Sequence, residues 1–209
     1  TDIICKFPHL IEMWKDCGSL AIFLGLESVT DEGLKAVNKK NTASNNVRAG
    51  SLAADKFIET LPEGSEVVVI EGAAGNTSSI DRVAGFTDTA TAGGLKVVAS
   101  QPADWDRAKA VSTASNLLQA NPNVKGIFAA NDGMGLGVVE AVAAAGLEGQ
   151  VIVASVDAIP EAIDAVKAGR LLGTVAQYPD EMAILAVEAM LKVLKGRPIA
   201  PEMESPVVL

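Results

Sequence analysis

The chain has 209 residues but only one histidine, two cysteines and eight aromatic residues. With His9 alone, the usual acid/base and metal-hydrolase schemes lack their commonest participant. His9 lies four residues after Cys5, but no further ligand stands nearby, so it reads as a surface-helix histidine. Cys5 and Cys17 are too few for a disulfide scaffold. Their spacing matches neither a zinc knuckle nor a redox CxxC, and they read as reduced thiols. Basic residues are also scarce: 17 Lys+Arg stand against 26 Asp+Glu, a net charge of −9. No basic run exceeds Lys39-Lys40, which argues against a nucleic-acid partner. No apolar run approaches the roughly 20 residues that span a bilayer, so no membrane partner is expected. The start Thr1-Asp2 is not a basic segment followed by an apolar one, so no signal peptide is visible. P-loop and GxSxG motifs are absent.

What is present is globular. Hydrophobic residues make up 49% and charged residues 21%, which fits one or two compact domains. Composition shifts near residue 41. Residues 1–41 hold both cysteines, the histidine and three of the aromatics, Phe7, Trp14 and Phe23, at net charge −1; residues 42–209 carry net −8. The polar run Asn41-Thr42-Ala43-Ser44-Asn45-Asn46 between them reads as a loop. The domain reading is therefore 1–41, an α/β fragment able to add its strand to a common sheet, and 42–209.

Beyond residue 42, short β-branched runs alternate with amphipathic stretches. Strands are predicted over 66–71, 96–100, 126–130, 150–156 and 172–176, and helices over 47–61, 81–92, 105–120, 134–145, 160–168 and 180–194, with an extended tail over 204–209. Strands apolar on both faces fit a parallel sheet covered by helices. Strict alternation implies right-handed crossovers and a flavodoxin-like, doubly wound α/β fold of three layers. In 1–41 the pattern gives a helix over 8–17, a strand over 20–26 and a helix capped by Thr30-Asp31-Glu32.

In such a sheet, ligands bind at the carboxyl ends of the strands. There stand Gly72 and Gly75-Asn76; Gln101, Asp104 and Trp105; Asn131-Asp132; Asp157; and Gln177. Amides and carboxylates form paired hydrogen bonds with neighbouring hydroxyls, and an indole can stack on the CH face of a sugar ring. The set suits a polyol. Each member also has a plainer reading: Asp132 and Asp157 as helix N-caps, Asn131 and Gln177 as solvated loop residues, Trp105 as an edge-of-core residue. Gly133-Met134-Gly135-Leu136-Gly137 approaches a dinucleotide fingerprint, but Val138 stands where the third glycine is needed. No cofactor and no metal is implied.

From about Thr42 to Leu209 the sequence resembles the C-terminal lobe of type I periplasmic sugar-binding proteins of the ribose- and allose-binding kind. The motifs are Ala43-Ser44-Asn45-Asn46, Ile70-Glu71-Gly72, Arg82-Val83-Ala84-Gly85-Phe86, Ser100-Gln101-Pro102-Ala103-Asp104-Trp105-Asp106-Arg107, Ala130-Asn131-Asp132-Gly133-Met134, Val156-Asp157-Ala158-Ile159-Pro160 and Val175-Ala176-Gln177-Tyr178-Pro179. The resemblance implies that Arg82, Asn131, Asp157 and Gln177 hydrogen-bond sugar hydroxyls and that Trp105 packs on the ring. Arg82 comes from the resemblance alone. The family closes two lobes on its sugar, and its N-terminal lobe has no counterpart in the sequence.

Residues 1–41 resemble part of a radical SAM enzyme barrel, in Ile22-Phe23-Leu24-Gly25-Leu26-Glu27-Ser28 and Thr30-Asp31-Glu32-Gly33-Leu34-Lys35-Ala36-Val37-Asn38-Lys39-Lys40. The CxxxCxxC cluster motif of that family is absent, so no iron–sulfur cluster is carried over, and Glu27 reads as structural. Two resemblances meeting at the seam imply a chimera, engineered or recombined. The expected function is a non-enzymatic sugar-binding lobe with weak or lost affinity for a monosaccharide. The alternatives are a natural sugar-binding or sensor lobe and, remotely, a radical SAM-type enzyme fragment. The parent family is periplasmic; the chimera reading expects recombinant production in the cytoplasm. A homodimer through the face left by the missing lobe stays open.

Overall fold

The computed structural model describes residues 43–198 and 206–209. The expectations for 1–41, including Cys5, Cys17, His9 and Glu27, lie outside the described residues. So do residues 204 and 205 of the expected tail.

The elements in chain order are α1 (Ala43–Thr60), β1 (Glu66–Glu71), α2 (Thr77–Ala92), β2 (Lys96–Pro102), α3 (Arg107–Ala120), β3 (Val124–Ala129), α4 (Asp132–Ala144), β4 (Ile152–Asp157), α5 (Pro160–Lys167), β5 (Gly173–Gln177), α6 (Pro179–Leu194) and β6 (Val207–Val208). They fall into two compact units. One holds Ala43–Gln177 and Pro206–Leu209; α6 belongs to the other.

In the first unit the strands pair in the order β2-β1-β3-β4-β5-β6. The first five are parallel and β6 joins β5 antiparallel. The order 2-1-3-4-5 is that of the flavodoxin-like doubly wound sheet, a fold in which ligands bind at the strands' carboxyl ends. Two cores flank the sheet. On one face, Ala53 and Phe57 of α1 and Phe86 and Ala90 of α2 pack on Val67, Val69, Phe128, Val156 and Val175. Phe86 stacks on Phe128 at 4.4 Å and meets Phe57 edge-on at 5.2 Å. On the other face, α3, α4 and α5 cover Val68, Ile70, Ile127, Ala129 and Val153. The three-layer expectation agrees with this arrangement.

Several boundaries differ from the sequence reading, each for a physical reason. Residues 43–46 begin α1 rather than forming a loop; a first helical turn has orphan N–H groups that tolerate Ser and Asn. Helix α2 starts at Thr77, four residues early, because the Asn76 side chain accepts from Ser79 N at 3.2 Å. Asp106 caps α3 by accepting from Lys109 N at 2.7 Å, leaving Trp105 in the preceding turn. β2 is not apolar on both faces: it is the sheet edge and largely exposed. Val98 is unpaired in the β1–β2 register, a bulge of the kind that blunts an edge strand.

The site depends on how closely α1 and α2 approach. A Cβ on Gly50 would lie 2.1 Å from the Arg82 carbonyl oxygen, and one on Gly85 would lie 2.0 Å from that of Val47. Only glycine fits either position. The contact sets Asn46, at the start of α1, beside Arg82 on α2.

Candidate functional site

Arg82 projects from α2 towards the carboxyl ends of β3, β4 and β5 and is 7% exposed. Its Nε donates to Asn46 Oδ1 at 3.0 Å. Its Nη1 donates to the Ala130 carbonyl at 2.7 Å and pairs with Asp157 Oδ1 at 3.1 Å. Its Nη2 donates to Gln177 Oε1 at 2.9 Å. Gln177 Nε2 in turn donates to Asn46 Oδ1 at 3.3 Å, closing a ring of polar groups. A planar fork reaches acceptors on three sides, which a lysine ammonium could not do from one nitrogen.

Trp105 stands at the same end. Its ring centroid is 5.9 Å from the Arg82 guanidinium carbon, within cation–π reach. Gly72, just after β1, makes room for it: a Cβ there would lie 2.2 Å from Trp105 Cζ2. Asp104 (φ 53°) and Trp105 (φ 64°) both adopt the left-handed region, which costs a non-glycine residue roughly 1 kcal/mol or more. An ion pair between Lys109 and Asp104, with the Asp106 cap, fixes this turn.

The Asn-Asp pair after β3 divides its work. Asn131, not Asp132, caps α4, accepting from Met134 N at 2.9 Å. Asp132 is 0% exposed and turns across the sheet. Its Oδ1 accepts from the hydroxyls of Ser155 and of Thr174, the latter at 2.6 Å, and its Oδ2 accepts from Ile159 N at 2.8 Å. Asp157 caps no helix either. The cap position of α5 is Ile159, which makes no side-chain cap bond, and Pro160 opens the helix.

Burial raises the Asp132 carboxyl above its ordinary value of 3.8, opposed by the hydrogen bonds from Ser155, Thr174 and Ile159 and by the charge of Arg82. Burial likewise raises Asp157; the positive charge of Arg82 pulls it down and the Asp132 carboxylate pushes it up. The carboxylate pair and the guanidinium thus lie in one electrostatic field.

The structure therefore brings together Arg82, Asp157 and Gln177 directly, with Trp105 above Arg82. Asn131 stands next to Ala130 in the chain but spends its Oδ1 on the helix cap. Sequence reasoning missed Asn46, Ser155 and Thr174. Ser155 and Thr174 carried a signal: polar residues inside apolar strands must find partners when buried. Among the described residues, no group of three or more His, Cys, Asp and Glu side chains could hold a metal ion. No helix there is long and apolar enough to cross a membrane.

Guanidinium, carboxylate and amide groups at strand ends beside an indole have the chemistry to hydrogen-bond a small polar molecule. Similarity to known proteins gives the family. The periplasmic binding protein domain matches residues 32–198, and the chain belongs to that family. It is 42% identical over 186 residues to the D-allose-binding periplasmic protein of Escherichia coli, covering 84% of this chain and 60% of that protein. It is 41% identical over 157 residues to the ribose import binding protein RbsB of Salmonella typhimurium, covering 75% and 53%. Of solved structures, an ABC transporter periplasmic solute binding protein from Actinobacillus succinogenes with bound D-allose matches with a TM-score of 0.74 at 36% identity, covering 78% of this chain and 59% of that one. The Caulobacter myo-inositol binding protein matches with a TM-score of 0.70 at 36% identity, covering 78% and 58%. The chain thus spans between half and three-fifths of the length of these relatives. They are binding proteins, not enzymes, and the non-enzymatic reading agrees with that membership.

Proposed function

We propose that the chain is a non-catalytic binding lobe for a monosaccharide of the ribose or allose kind, held at the carboxyl ends of β1 to β5. The observation that carries this reading is the Arg82 hub: one buried guanidinium joined at once to Asp157 and Gln177, with Trp105 over it. In this reading Arg82, Asn131, Asp157 and Gln177 exchange their present partners for sugar hydroxyls, and Trp105 covers an apolar ring face. The names of the relatives, for D-allose and ribose, support the substrate class.

The same reading expects weak affinity from this chain alone. One wall leaves the other ring face in water, short of the roughly 70–90% burial usual for tight small-ligand sites. Halving a binding energy of about 8 kcal/mol takes a micromolar site to about millimolar. The segment of separate origin, set at 1–41 by composition, is in this reading cut back to residues 1–31, because the family match begins at residue 32. An intact natural gene encoding the same junction would remove the engineered version of that proposal.

Calorimetric titration with D-ribose and D-allose, carried to tens of millimolar, tests the function. Saturable heat that Asp157→Ala and Asn131→Ala abolish is the expected result. No heat from a folded sample, for either sugar, overturns it.

A further inference from the structure

We infer that Asp132 is a positioning residue for the site: with Thr174 it locks the turn 157–159 and thereby aims the Asp157 carboxylate at Arg82. This rests on the sugar-site reading for its consequence, but the lock itself is a property of the ligand-free chain.

The turn is one the backbone would not choose. Asp157 has φ 122° and Ala158 has φ 54°, both in the region that favours glycine. Conformations of this kind persist only where surrounding bonds over-determine them. Two consecutive peptide N–H groups do so here. Ala158 N donates to Thr174 Oγ1 at 3.0 Å, and Ile159 N donates to Asp132 Oδ2 at 2.8 Å. Thr174 Oγ1 in turn donates to Asp132 Oδ1 at 2.6 Å, so both N–H groups are tied, directly or through Thr174, to one carboxylate. Ser155, 0% exposed on β4, donates to the same Oδ1 and fixes its orientation. The result is an Asp157 Oδ1 held 3.1 Å from Arg82 Nη1.

Charge and chemistry suit Asp132 to this task. An ionised carboxylate offers acceptor sites on two oxygens and no donor, which matches two hydroxyls and one N–H. An amide has a single acceptor oxygen, which cannot serve both the Ile159 N–H and the two hydroxyl donors. A role in starting α4 does not explain the geometry, because Asn131 already makes the side-chain cap and the Asp132 oxygens accept from β4, β5 and the 157–159 turn.

The test uses the full chain and three variants: Thr174→Val, Thr174→Ser and Asp132→Asn. Titration with D-allose and D-ribose gives the dissociation constant, and urea unfolding followed by circular dichroism gives the folded fraction, so a misplaced Asp157 shows in the first and a loss of folded protein in the second. Thr174→Val is expected to weaken binding about tenfold at unchanged folded fraction, the effect of one hydrogen bond to a charged network. Thr174→Ser, which keeps the hydroxyl, is expected to stay within about twofold of the parent. An unchanged constant in folded Thr174→Val overturns the inference. Amide exchange on the ligand-free protein decides the lock without sugar. The Ala158 and Ile159 amides are expected to exchange at least about tenfold faster in Asp132→Asn, while the Gly135 amide, bonded to the Asn131 carbonyl, keeps its rate. If neither sugar binds the parent chain, the proposed function fails, and this exchange alone supports or overturns the lock: equal rates at Ala158 and Ile159 in parent and variant would refute it.

Discussion

Replacing Arg82 with methionine keeps much of the aliphatic stem and deletes the guanidinium. Four acceptors then lose a donor: Asn46 Oδ1, the Ala130 carbonyl, Asp157 Oδ1 and Gln177 Oε1. Asn46 Oδ1 retains Gln177 Nε2. The Asp157 side chain is 34% exposed, so water takes over part of its charge. Removing one partner from a buried pair costs about 3–5 kcal/mol, and the exposure of Asp157 puts the expected loss near the lower end, about 3 kcal/mol. For a chain of this size that lowers Tm by roughly 6–12 °C. Arg82→Lys keeps the charge but not the fork and is expected to recover less than half of the loss. Adding Asp157→Asn to Arg82→Met removes the stranded carboxylate and is expected to restore about 1 kcal/mol or more. Urea unfolding of the four proteins measures all these differences through the shift in midpoint. A loss below about 1 kcal/mol for folded Arg82→Met would refute the reasoning, because it would mean that water, not Arg82, satisfies these groups.

Three further outcomes follow from the same geometry. Gly85→Ala places a methyl 2.0 Å from the Val47 carbonyl oxygen and is expected to cost about 2–3 kcal/mol in urea unfolding by forcing α1 from α2. Asn131→Ala removes the α4 cap and is expected to cost about 1 kcal/mol, with Asn131→Asp retaining most of it; equal stability of Asn131→Ala and the parent would refute the cap. The Asp157 carboxyl is raised above 3.8 in the folded state, so the folded state keeps its proton to higher pH than the unfolded chain; the resulting stabilisation is complete below 3.8 and is lost as pH rises through the raised value. The parent is therefore expected to gain stability relative to Asp157→Asn as pH falls from neutral towards 3.8, and a gain in the opposite direction overturns the assignment.

The sheet was legible because its strands are short β-branched runs between amphipathic stretches, and β1 came out with both ends placed, Glu66–Glu71. What periodicity cannot show is strand order. The run beginning Lys96-Val97-Val98 reads like the others but forms the edge, so its two faces are not both covered. Helix starts were lost for a related reason. Asn76-Thr77-Ser78-Ser79 has loop composition, yet its first residue caps the turn made by the next three. In the site, residues after strands could be found by position, as Asp157 and Gln177 were. Arg82 could not: it sits mid-helix on α2, and only family resemblance singled it out. Asn46 was quoted within a motif but read as loop, because nothing local says that its side chain meets one 36 residues on.

Asp132 and Asp157 show why the local rule failed. An acid just before a helix is ordinarily a cap, and both aspartates have that placement. At α4 the duty falls to Asn131, which frees Asp132 to point inward. At α5, Pro160 at the first turn has no N–H to satisfy, and the Ile159 N–H just ahead of it is taken by Asp132 Oδ2. Asp157 is thereby released from capping and its carboxylate goes to Arg82. The buried acid of one strand end takes a donor from the next, and the acid there is left to pair with Arg82. Through these bonds a substitution at Asp132 is expected to change stability and the aim of Asp157 together.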